Sequence, residues 1–394
     1  MYFEKKIIYL LDQPLDDFNI ERFFINEIEK KGWIVEIWDF TKVYYKLYHE
    51  NYYKDRKLIT DKRLKVINSY DDFKNRVSQN SKNTFYFDHL SRGAQYFIYR
   101  LRNYLKNKNK KRIVFSLANF PVPTKNKNFI KHIQNNNLKS LIKKLSQRLI
   151  IRYYKSCDRP DFYFSGGSFS RKTYLAKAAK HIVDAHNFDF DRYLKLIEKE
   201  NTQINKNTAI FIDQDMCFHY DQFARLSKPF VSPKIYFPSL IKFFDNLQKT
   251  KKINTKISLH PRSNPNRDYV QFYKNICISK LTTAQNIFQS EIVIAHYSTS
   301  IQLAILMYKP IIFITTNELE KSERNTFVEK FANTLGKKSI NINNDINNLN
   351  WDEIIKINKK KYDEYIHNYI TINLNDNYTL AEISDLVLNR FIKK

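Results

Sequence analysis

The chain has 394 residues, of which 43% are hydrophobic and 15% aromatic, with only 5 glycines and 10 prolines. This composition excludes disordered, collagen-like and low-complexity proteins, and the length suits two domains of ordinary size. The formal net charge of +27 favours anionic ligands and surfaces. The chain is also rich in Asn, Ile, Tyr and Phe, which AT-rich codons specify as they do Lys, so codon composition accounts for much of the lysine without such a role.

Short apolar runs alternate with longer amphipathic segments, a pattern typical of βαβ units and mainly parallel sheets. In the first half, the pattern predicts a helix at 19–31 and strands at 6–11, 34–39, 84–87, 112–117, 161–164 and 181–184. The polar segment 198–207 predicts a linker between domains.

The second half repeats the same rhythm, with predicted strands at 208–212, 256–259, 275–278, 291–295 and 311–314. Helices are predicted at 236–249, 282–289 and 300–308, a loop at 341–350, and further helices from 351 and 379. We therefore expect an α/β protein whose two Rossmann-like domains face each other across a cleft. The predicted domains are residues 1–200 and 208–365, followed by a helical tail at 366–394.

Cysteine usage and hydropathy bear on location. Cys157, Cys217 and Cys277 are widely spaced and form no CxxC pair, which fits a reducing compartment. The first apolar run is too short for a signal peptide, and no stretch approaches the roughly 18–20 apolar residues of a membrane span. The sequence therefore predicts a cytoplasmic protein.

Ligands of doubly wound sheets bind beyond the carboxyl ends of the strands, so polar residues at those ends are site candidates. His260 follows a predicted strand that Pro261 ends, and Arg262 places a planar cation suited to phosphate beside it. A histidine at a strand end can equally be structural. We take His260 and Arg262 as candidate phosphate ligands.

A second candidate is the turn 296–300, which joins a predicted strand to a helix. Ser298, Thr299 or Ser300 can cap that helix, and the free N–H groups of its first turn would attract an anion. Ordinary capping is the alternative. Both candidate segments end strands of one sheet, so we expect His260 and the turn, including His296, to converge on one phosphate.

These segments carry a resemblance to a known group of enzymes. The His-Pro pair at 260–261, the hydroxyl-rich turn at 298–300 and the Lys-Pro pair at 309–310 resemble the nucleotide-binding domain of GT-B bacterial transferases that use CMP- or CDP-linked donors. That group includes bacterial sialyltransferases and polysialyltransferases, capsule Kdo transferases and teichoic-acid glycerophosphotransferases. The resemblance covers roughly residues 208–316.

The resemblance implies that His260 contacts the donor phosphate and that Ser298 and Thr299 hydrogen-bond it. It implies a GT-B glycosyltransferase that moves a nonulosonic acid, such as a sialic-acid-like sugar or Kdo, from a CMP-activated donor to a capsule, lipopolysaccharide or other surface-glycan acceptor. The first domain would receive the acceptor and the second the donor. A CDP-polyol phosphotransferase and a UDP-hexosyltransferase of the same fold are alternatives.

The catalytic base is not assigned by the resemblance, because the Asp/Glu-Asp-Gly triplet of several sialyltransferases is absent. Asp12, Asp88, Asp213 and Asp215 all follow predicted strands and are candidate catalytic residues, each with a capping or solvated-turn role as the alternative. We favour Asp213, because a carboxylate directly after an apolar strand is held rigidly.

We expect no metal and no cofactor besides the nucleotide-sugar substrate. The segment 213–215 is similar to the DxD of metal-dependent transferases but has no accompanying ligands, and arginine, histidine and helix dipoles can offset phosphate charge instead. A nucleic-acid-binding protein is the alternative from the charge, but no helix-turn-helix, zinc or RNA-recognition signature is present.

Three further segments have two interpretations each. Residues 165–168 hold two of the five glycines and predict either a close backbone approach, to a ligand or the facing domain, or a simple turn. The basic helix predicted within 138–155 suits an anionic membrane surface or domain packing. The aromatic and basic run 44–56 suits acceptor stacking or burial in the core. We expect a cytoplasmic enzyme that can attach to the inner face of the membrane.

Overall fold

The computed structural model describes residues 4–46, 49–50, 59–91, 96–116, 120–122, 149, 152–153, 158–199, 204–219, 229–264, 267–375 and 377–392. Most of the predicted basic helix within 138–155 and much of the run 44–56 lie outside these residues.

In the described part of the chain, seven parallel strands form the first sheet, in the order β3-β2-β1-β4-β5-β6-β7. They are β1 Lys6–Leu11, β2 Ile34–Asp39, β3 Leu64–Val66, β4 Thr84–Asp88, β5 Lys111–Ser116, β6 Phe162–Gly166 and β7 His181–Ala185. The central strands are buried on both faces, as parallel sheets covered by helices require. Helices of this part are Asp17–Arg22, Ile25–Lys30, Thr41–Tyr44, Tyr70–Gln79, Tyr96–Asn107, Ser168–Arg171, Tyr174–Ala178 and Phe188–Lys199.

The helix predicted at 19–31 is two helices in the structure. Phe24 lies between them with a φ of 48°, in the left-handed region, and its ring is buried in the core of the first domain. A left-handed residue ends an α-helix. The chain bends at this point, and the bend places Arg22 at the end of the short helix that follows β1.

Five parallel strands form the second sheet within the described residues, in the order β12-β11-β10-β8-β9. They are β8 Asn205–Ile212, β9 Asn254–Ser258, β10 Ser290–Ala295, β11 Ile311–Thr315 and β12 Ile340–Asn341. The helices are Pro233–Lys251, Val270–Tyr273, Thr283–Gln289, Ile301–Leu306, Asn317–Glu320, Asn325–Thr334, Trp351–Ile355 and Lys359–Tyr365, with a π-helix at Ile366–Ile370. The strand predicted at 275–278 is wrong: only Ile278 bridges to β9, through Ile257.

The chain returns to the first domain after the π-helix. The last described helix, Leu380–Asn389, adds Leu380, Ile383 and Leu388 to the hydrophobic core built on β1 and β4. The indole N–H of Trp33 donates to the carboxylate of Asp385 at 2.7 Å, which fixes the helix against the first domain. Of the segment 366–394 predicted as a helical tail, residues 366–370 pack in the core of the second domain, and helix Leu380–Asn389 packs in the core of the first domain.

The glycine pair after β6 makes a close backbone approach. Gly167 has a φ of 77°, and a Cβ at this position would lie 2.6 Å from the carbonyl oxygen of Asn368 in the π-helix. The hydroxyl of Ser168 donates to the side-chain oxygen of Asn368 at 2.8 Å. Of the two interpretations of residues 165–168, the structure supports contact with the returning chain at the junction of the domains.

Candidate active site

A cavity of about 330 Å³ lies at the carboxyl edge of the first sheet. Its walls come from the segments that follow β1, β4 and β5 and from the start of helix Phe188–Lys199. The carboxyl ends of parallel strands meet at one edge of a sheet, which is why segments far apart in sequence line this one volume. The lining residues are Leu11, Asp12, Gln13, Asn19, Arg22, Phe23, Asp88, His89, Leu90, Ser91, Phe115, Ser116 and Phe188.

Asp12 is a carboxylate in the wall of this cavity. It is 3% exposed, and its Oδ2 accepts a hydrogen bond from the backbone N–H of Ser91 at 2.8 Å. Burial raises the pKa of Asp12, and the hydrogen bond from Ser91 opposes that rise. Asp12 can therefore both contact a ligand in the cavity and accept a proton from it.

Asp88 also borders the cavity, but its charge is already neutralised. Its Oδ2 accepts from Arg102 Nε at 2.7 Å and from Arg112 Nη1 at 2.7 Å, and both guanidinium groups also lie against Asp158. All four side chains are buried. The two arginines hold the pKa of Asp88 well below its usual range against the effect of burial, so this carboxylate is a poor proton acceptor.

Aromatic rings and a histidine form another wall. The ring of His89 stacks on Phe23 with centroids 3.9 Å apart, and it lies 5.5 Å from Phe115. Arg22 borders the same cavity, with its guanidinium carbon 4.9 Å from the ring centroid of Phe188. Sequence reasoning missed Arg22, since the only available signal was its place in the first helix after β1.

In the second domain, His260 and Arg262 follow β9 as the sequence predicts. The Nδ1 atom of His260 accepts a hydrogen bond from the backbone N–H of Arg262 at 3.1 Å, which fixes the orientation of the imidazole. The ring of His219, from the segment after β8, lies 5.3 Å from that of His260. The segments after β8 and β9 therefore bring two imidazoles and one guanidinium to the same region.

Arg262 crosses the cleft to the first domain. Its Nε lies 3.1 Å from the carboxylate of Asp16, and its Nη2 donates to the side-chain oxygen of Gln13 at 3.1 Å. Gln13 also lines the cavity that contains Asp12. The cation predicted for the donor phosphate is therefore adjacent to the cavity of the opposite domain.

Asp213 and Asp215 lie inside the second domain. The Oδ1 of Asp213 accepts from the backbone N–H of Asp215 at 2.8 Å, and the hydroxyl of Tyr269 donates to Asp215 at 3.1 Å. Burial, together with the nearby charge of Asp215, raises the pKa of Asp213 to about 7. Both carboxylates are buried, and neither belongs to the walls of the cavity.

His296 does not lie in the predicted phosphate site. Its ring is fully buried, with Nε2 2.7 Å from the hydroxyl of Tyr236 and Nδ1 2.7 Å from the carbonyl oxygen of Ile314. Burial lowers the pKa of His296 to about 4, so the imidazole is neutral at physiological pH. Its place at a strand end suggested a ligand, but helix Pro233–Lys251 provides the tyrosine that holds the ring in the core.

The turn Ser298, Thr299 and Ser300 lies between β10 and helix Ile301–Leu306, as predicted. All three residues are partly exposed. The hydroxyl of Ser298 accepts from the backbone N–H of Ser300 at 3.3 Å. The backbone N–H of Tyr297 donates to the side-chain oxygen of Gln214 at 2.8 Å, which joins this turn to the segment after β8. The turns that follow β8 and β10 thus meet at the edge of the second sheet.

No group of three or more His, Cys, Asp and Glu side chains in the described ranges has an arrangement that could hold a metal ion. None of the helices that the structure describes combines the length and the apolar character needed to cross a bilayer.

Comparison with known proteins identifies the fold. The chain is similar in structure to CalG4, the calicheamicin glycosyltransferase, at 8% sequence identity, with 100% of both chains covered and a TM-score of 0.52. It is also similar to the wall teichoic acid polymerase TagF, at 12% identity, covering 99% of this chain and 89% of that chain with a TM-score of 0.53.

No family model matches the sequence, and no curated protein is similar to it. With two parallel sheets and this structural similarity, the predicted α/β fold of the GT-B type, with two Rossmann-like domains, is confirmed.

Proposed function

We propose that the chain is a glycosyltransferase that moves a sugar from a nucleotide-activated donor to a glycan or lipid-linked glycan acceptor. The supporting observation is the position of Arg262, a donor-side cation that reaches Gln13 at the border of the cavity containing Asp12. A phosphate-binding cation opposite a buried carboxylate provides the two charges that sugar transfer needs. The GT-B fold, shared with a glycosyltransferase, is consistent with this activity.

In the proposed reaction, Asp12 takes the proton of an acceptor hydroxyl while that oxygen bonds to the anomeric carbon of the donor sugar. The bond from this carbon to the donor phosphate oxygen breaks, and the phosphate leaves with the negative charge. Arg262, His260 and the N–H groups of the turn 298–300 stabilise that charge. We prefer Asp12 to Asp213 as the base, because Asp12 lines the cavity and Asp213 does not.

The preferred donor is a CMP-activated nonulosonic acid, on the resemblance of the His-Pro pair and the hydroxyl-rich turn to CMP- and CDP-dependent enzymes. CDP-polyol and UDP-hexose donors are the alternatives. Capsule or lipopolysaccharide glycans are the corresponding acceptors. The donor question is separate from the fold, because one fold supports several nucleotide specificities.

Thermal melting with CMP, CDP and UDP tests the donor site. We expect one nucleotide to raise Tm, because a ligand at about 100 times its Kd stabilises the native state by about 2.7 kcal/mol. Arg262→Gln and His260→Ala should reduce the shift, and Arg76→Gln should keep it, since Arg76 pairs with Asp72 on helix Tyr70–Gln79 away from the cavity. A shift unchanged in both donor-site variants would contradict the assignment.

We also propose that transfer needs no divalent metal, since arginine, histidine and backbone N–H groups offset the phosphate charge. Activity with the donor identified by melting should be retained after treatment with a chelator. Loss of activity that manganese or magnesium restores would assign Asp213 and Asp215 as metal ligands instead.

A cytoplasmic enzyme that extends a lipid-linked acceptor must reach the membrane, so we propose reversible attachment by basic residues. Each Lys or Arg near an anionic leaflet contributes about 1 kcal/mol. Of the basic segments 106–112, 125–131 and 139–152, only the first lies fully within the described residues. We expect sedimentation with anionic vesicles that decreases as salt rises. Equal sedimentation with neutral vesicles would contradict the proposal.

A further inference from the structure

Arg22 is a cation in the wall of the cavity whose guanidinium lies against aromatic rings. It lines the same cavity as Asp12, and among the residues that the structure describes none forms a hydrogen bond or ion pair with its guanidinium. Its contacts are with aromatic rings, at 4.9 Å from the centroid of Phe188 and 6.0 Å from that of Phe23. A partly buried guanidinium whose five N–H donors are unused is costly unless a ligand or water accepts from them.

The acidic residues nearest to Arg22 are paired with other arginines. Asp16 accepts from Arg262 at 3.1 Å, and Asp189 lies 3.8 Å from Arg192. Burial, together with the neighbouring charge of Arg192, lowers the pKa of Arg22 to about 10, and the charge of Asp189 opposes the change. Arg22 therefore keeps its charge at neutral pH.

The carboxylates of the cavity are bound to groups other than Arg22. Asp88 is one of two carboxylates in a buried cluster with two guanidinium groups, so that cluster is neutral as a whole. Asp12 accepts a hydrogen bond from the backbone N–H of Ser91 and forms no ion pair with Arg22. Phe23, Phe115 and Phe188 add apolar walls. The cavity thus combines a guanidinium that pairs with no carboxylate among the described residues with flat apolar surfaces, which suits a sugar ring that carries an oxyanion.

We propose that Arg22 binds a carboxylate or phosphate group of the acceptor, so that the enzyme extends an acidic glycan. This inference rests on the proposed function, because it takes the cavity as the acceptor site. The planar guanidinium can donate two parallel hydrogen bonds to either oxyanion, which adds geometric selectivity to the charge. Arg22 and Asp12 would then hold the acceptor at two points, one at its anion and one at its reacting hydroxyl.

Isothermal titration with glucuronate, glucose 6-phosphate and glucose tests this proposal without a donor. We expect the wild-type protein to bind at least one acidic sugar about tenfold more tightly than glucose, as a charge-assisted hydrogen bond predicts. Arg22→Gln should abolish this preference, and Arg22→Lys, which keeps the charge, should retain part of it. Arg76→Gln, which removes an arginine away from the cavity, is the matched control that should keep it. The two acidic probes distinguish carboxylate from phosphate.

Several results would overturn the proposal. They are failure of both acidic sugars to bind, equal binding of acidic and neutral sugars, and a preference that survives Arg22→Gln. A preference lost in Arg262→Gln but kept in Arg22→Gln would place the anion in the donor site. An Arg22-dependent preference without any nucleotide-induced change in Tm would support the anion site and contradict the transferase. A nucleotide-induced change in Tm without a preference for acidic sugars would support the transferase and contradict the anion site.

Discussion

The guanidinium of Arg262 and the carboxylate of Asp16 face each other across the cleft, with Nε 3.1 Å from Oδ2. The same carboxylate caps the helix Asp17–Arg22 by accepting from the backbone N–H of Asn19 at 2.7 Å. The pair connects the segment after β1 to the segment after β9. A donor phosphate at Arg262 must therefore compete with Asp16 for one guanidinium.

We predict that Asp16→Asn strengthens nucleotide binding about fivefold, because removing a competing ion pair of about 1 kcal/mol releases Arg262. Asparagine caps helices as well as aspartate does, so the helix should be retained. Nucleotide titration followed by Tm gives the affinity. Asp72→Asn, which removes the ion-pair partner of Arg76 away from the cleft, should leave nucleotide affinity unchanged. Weaker binding in Asp16→Asn would show that Asp16 assists the donor site.

We predict that Asp12→Asn lowers kcat by at least about 100-fold and leaves nucleotide affinity unchanged, as expected for loss of a general base. Asp39→Asn is the matched control. Asp39 also ends a strand of the first sheet, is buried, and has a pKa raised by burial, but it does not line the cavity. Steady-state kinetics with the identified donor measures kcat and the affinity for that donor in both variants. An Asp12→Asn enzyme with nearly full turnover would eliminate Asp12 as the base.

We predict that Asp213→Asn makes stability less dependent on pH. The folded-state pKa of about 7 exceeds the usual value of 3.8, so this group favours folding below about pH 4. That contribution is lost as pH rises towards 7. Relative to wild type, the variant should gain more than about 1 kcal/mol of unfolding free energy between pH 4 and pH 8. Urea denaturation at pH 4 and at pH 8 measures the unfolding free energy of both proteins.

The exposed Asp71 provides a control for that experiment, because Asp71→Asn removes a surface carboxylate of the first domain. The same gain in both variants would attribute the effect to net charge. No gain in Asp213→Asn would mean that the carboxyl group titrates normally in the folded protein.

We predict that Gly167→Ala costs at least about 2 kcal/mol of unfolding free energy, because a Cβ would collide with the backbone of Asn368 and the φ of 77° is strained for alanine. Gly336→Ala separates these two effects. Its φ is 69°, but the nearest atom to the added Cβ would be a side-chain nitrogen at 3.5 Å. Chemical denaturation should show a smaller loss in Gly336→Ala. Equal losses would indicate that backbone strain alone accounts for both.

The long buried strands were predictable because a continuous apolar run specifies a strand of a parallel sheet by itself. Strands β1 and β2 have the predicted bounds, 6–11 and 34–39. The edge strands β3 and β12 have three and two residues and are only partly buried, so their sequences carry little apolar signal. Their place in the sheets depends on pairing with β2 and β11.

The candidate site was predictable only where local sequence determines the direction of a side chain. His260 and Arg262 follow β9 as expected, and Arg262 does reach the cleft. The same reasoning fails for His296, because Tyr236, distant in sequence, holds its ring in the core. Arg22 was missed for the converse reason, since its importance comes from a cavity that Asp12 and Phe188 complete.

The helix Leu380–Asn389 in the core of the first domain has a consequence for synthesis. The strands β1–β7 emerge from the ribosome first, yet their hydrophobic core lacks Leu380, Ile383 and Leu388 until nearly 200 further residues have been translated. The hydrophobic core of the second domain, in contrast, is complete once Ile370 has been translated. We therefore expect the domain translated second to complete its folding first, with the earlier one waiting for its last helix.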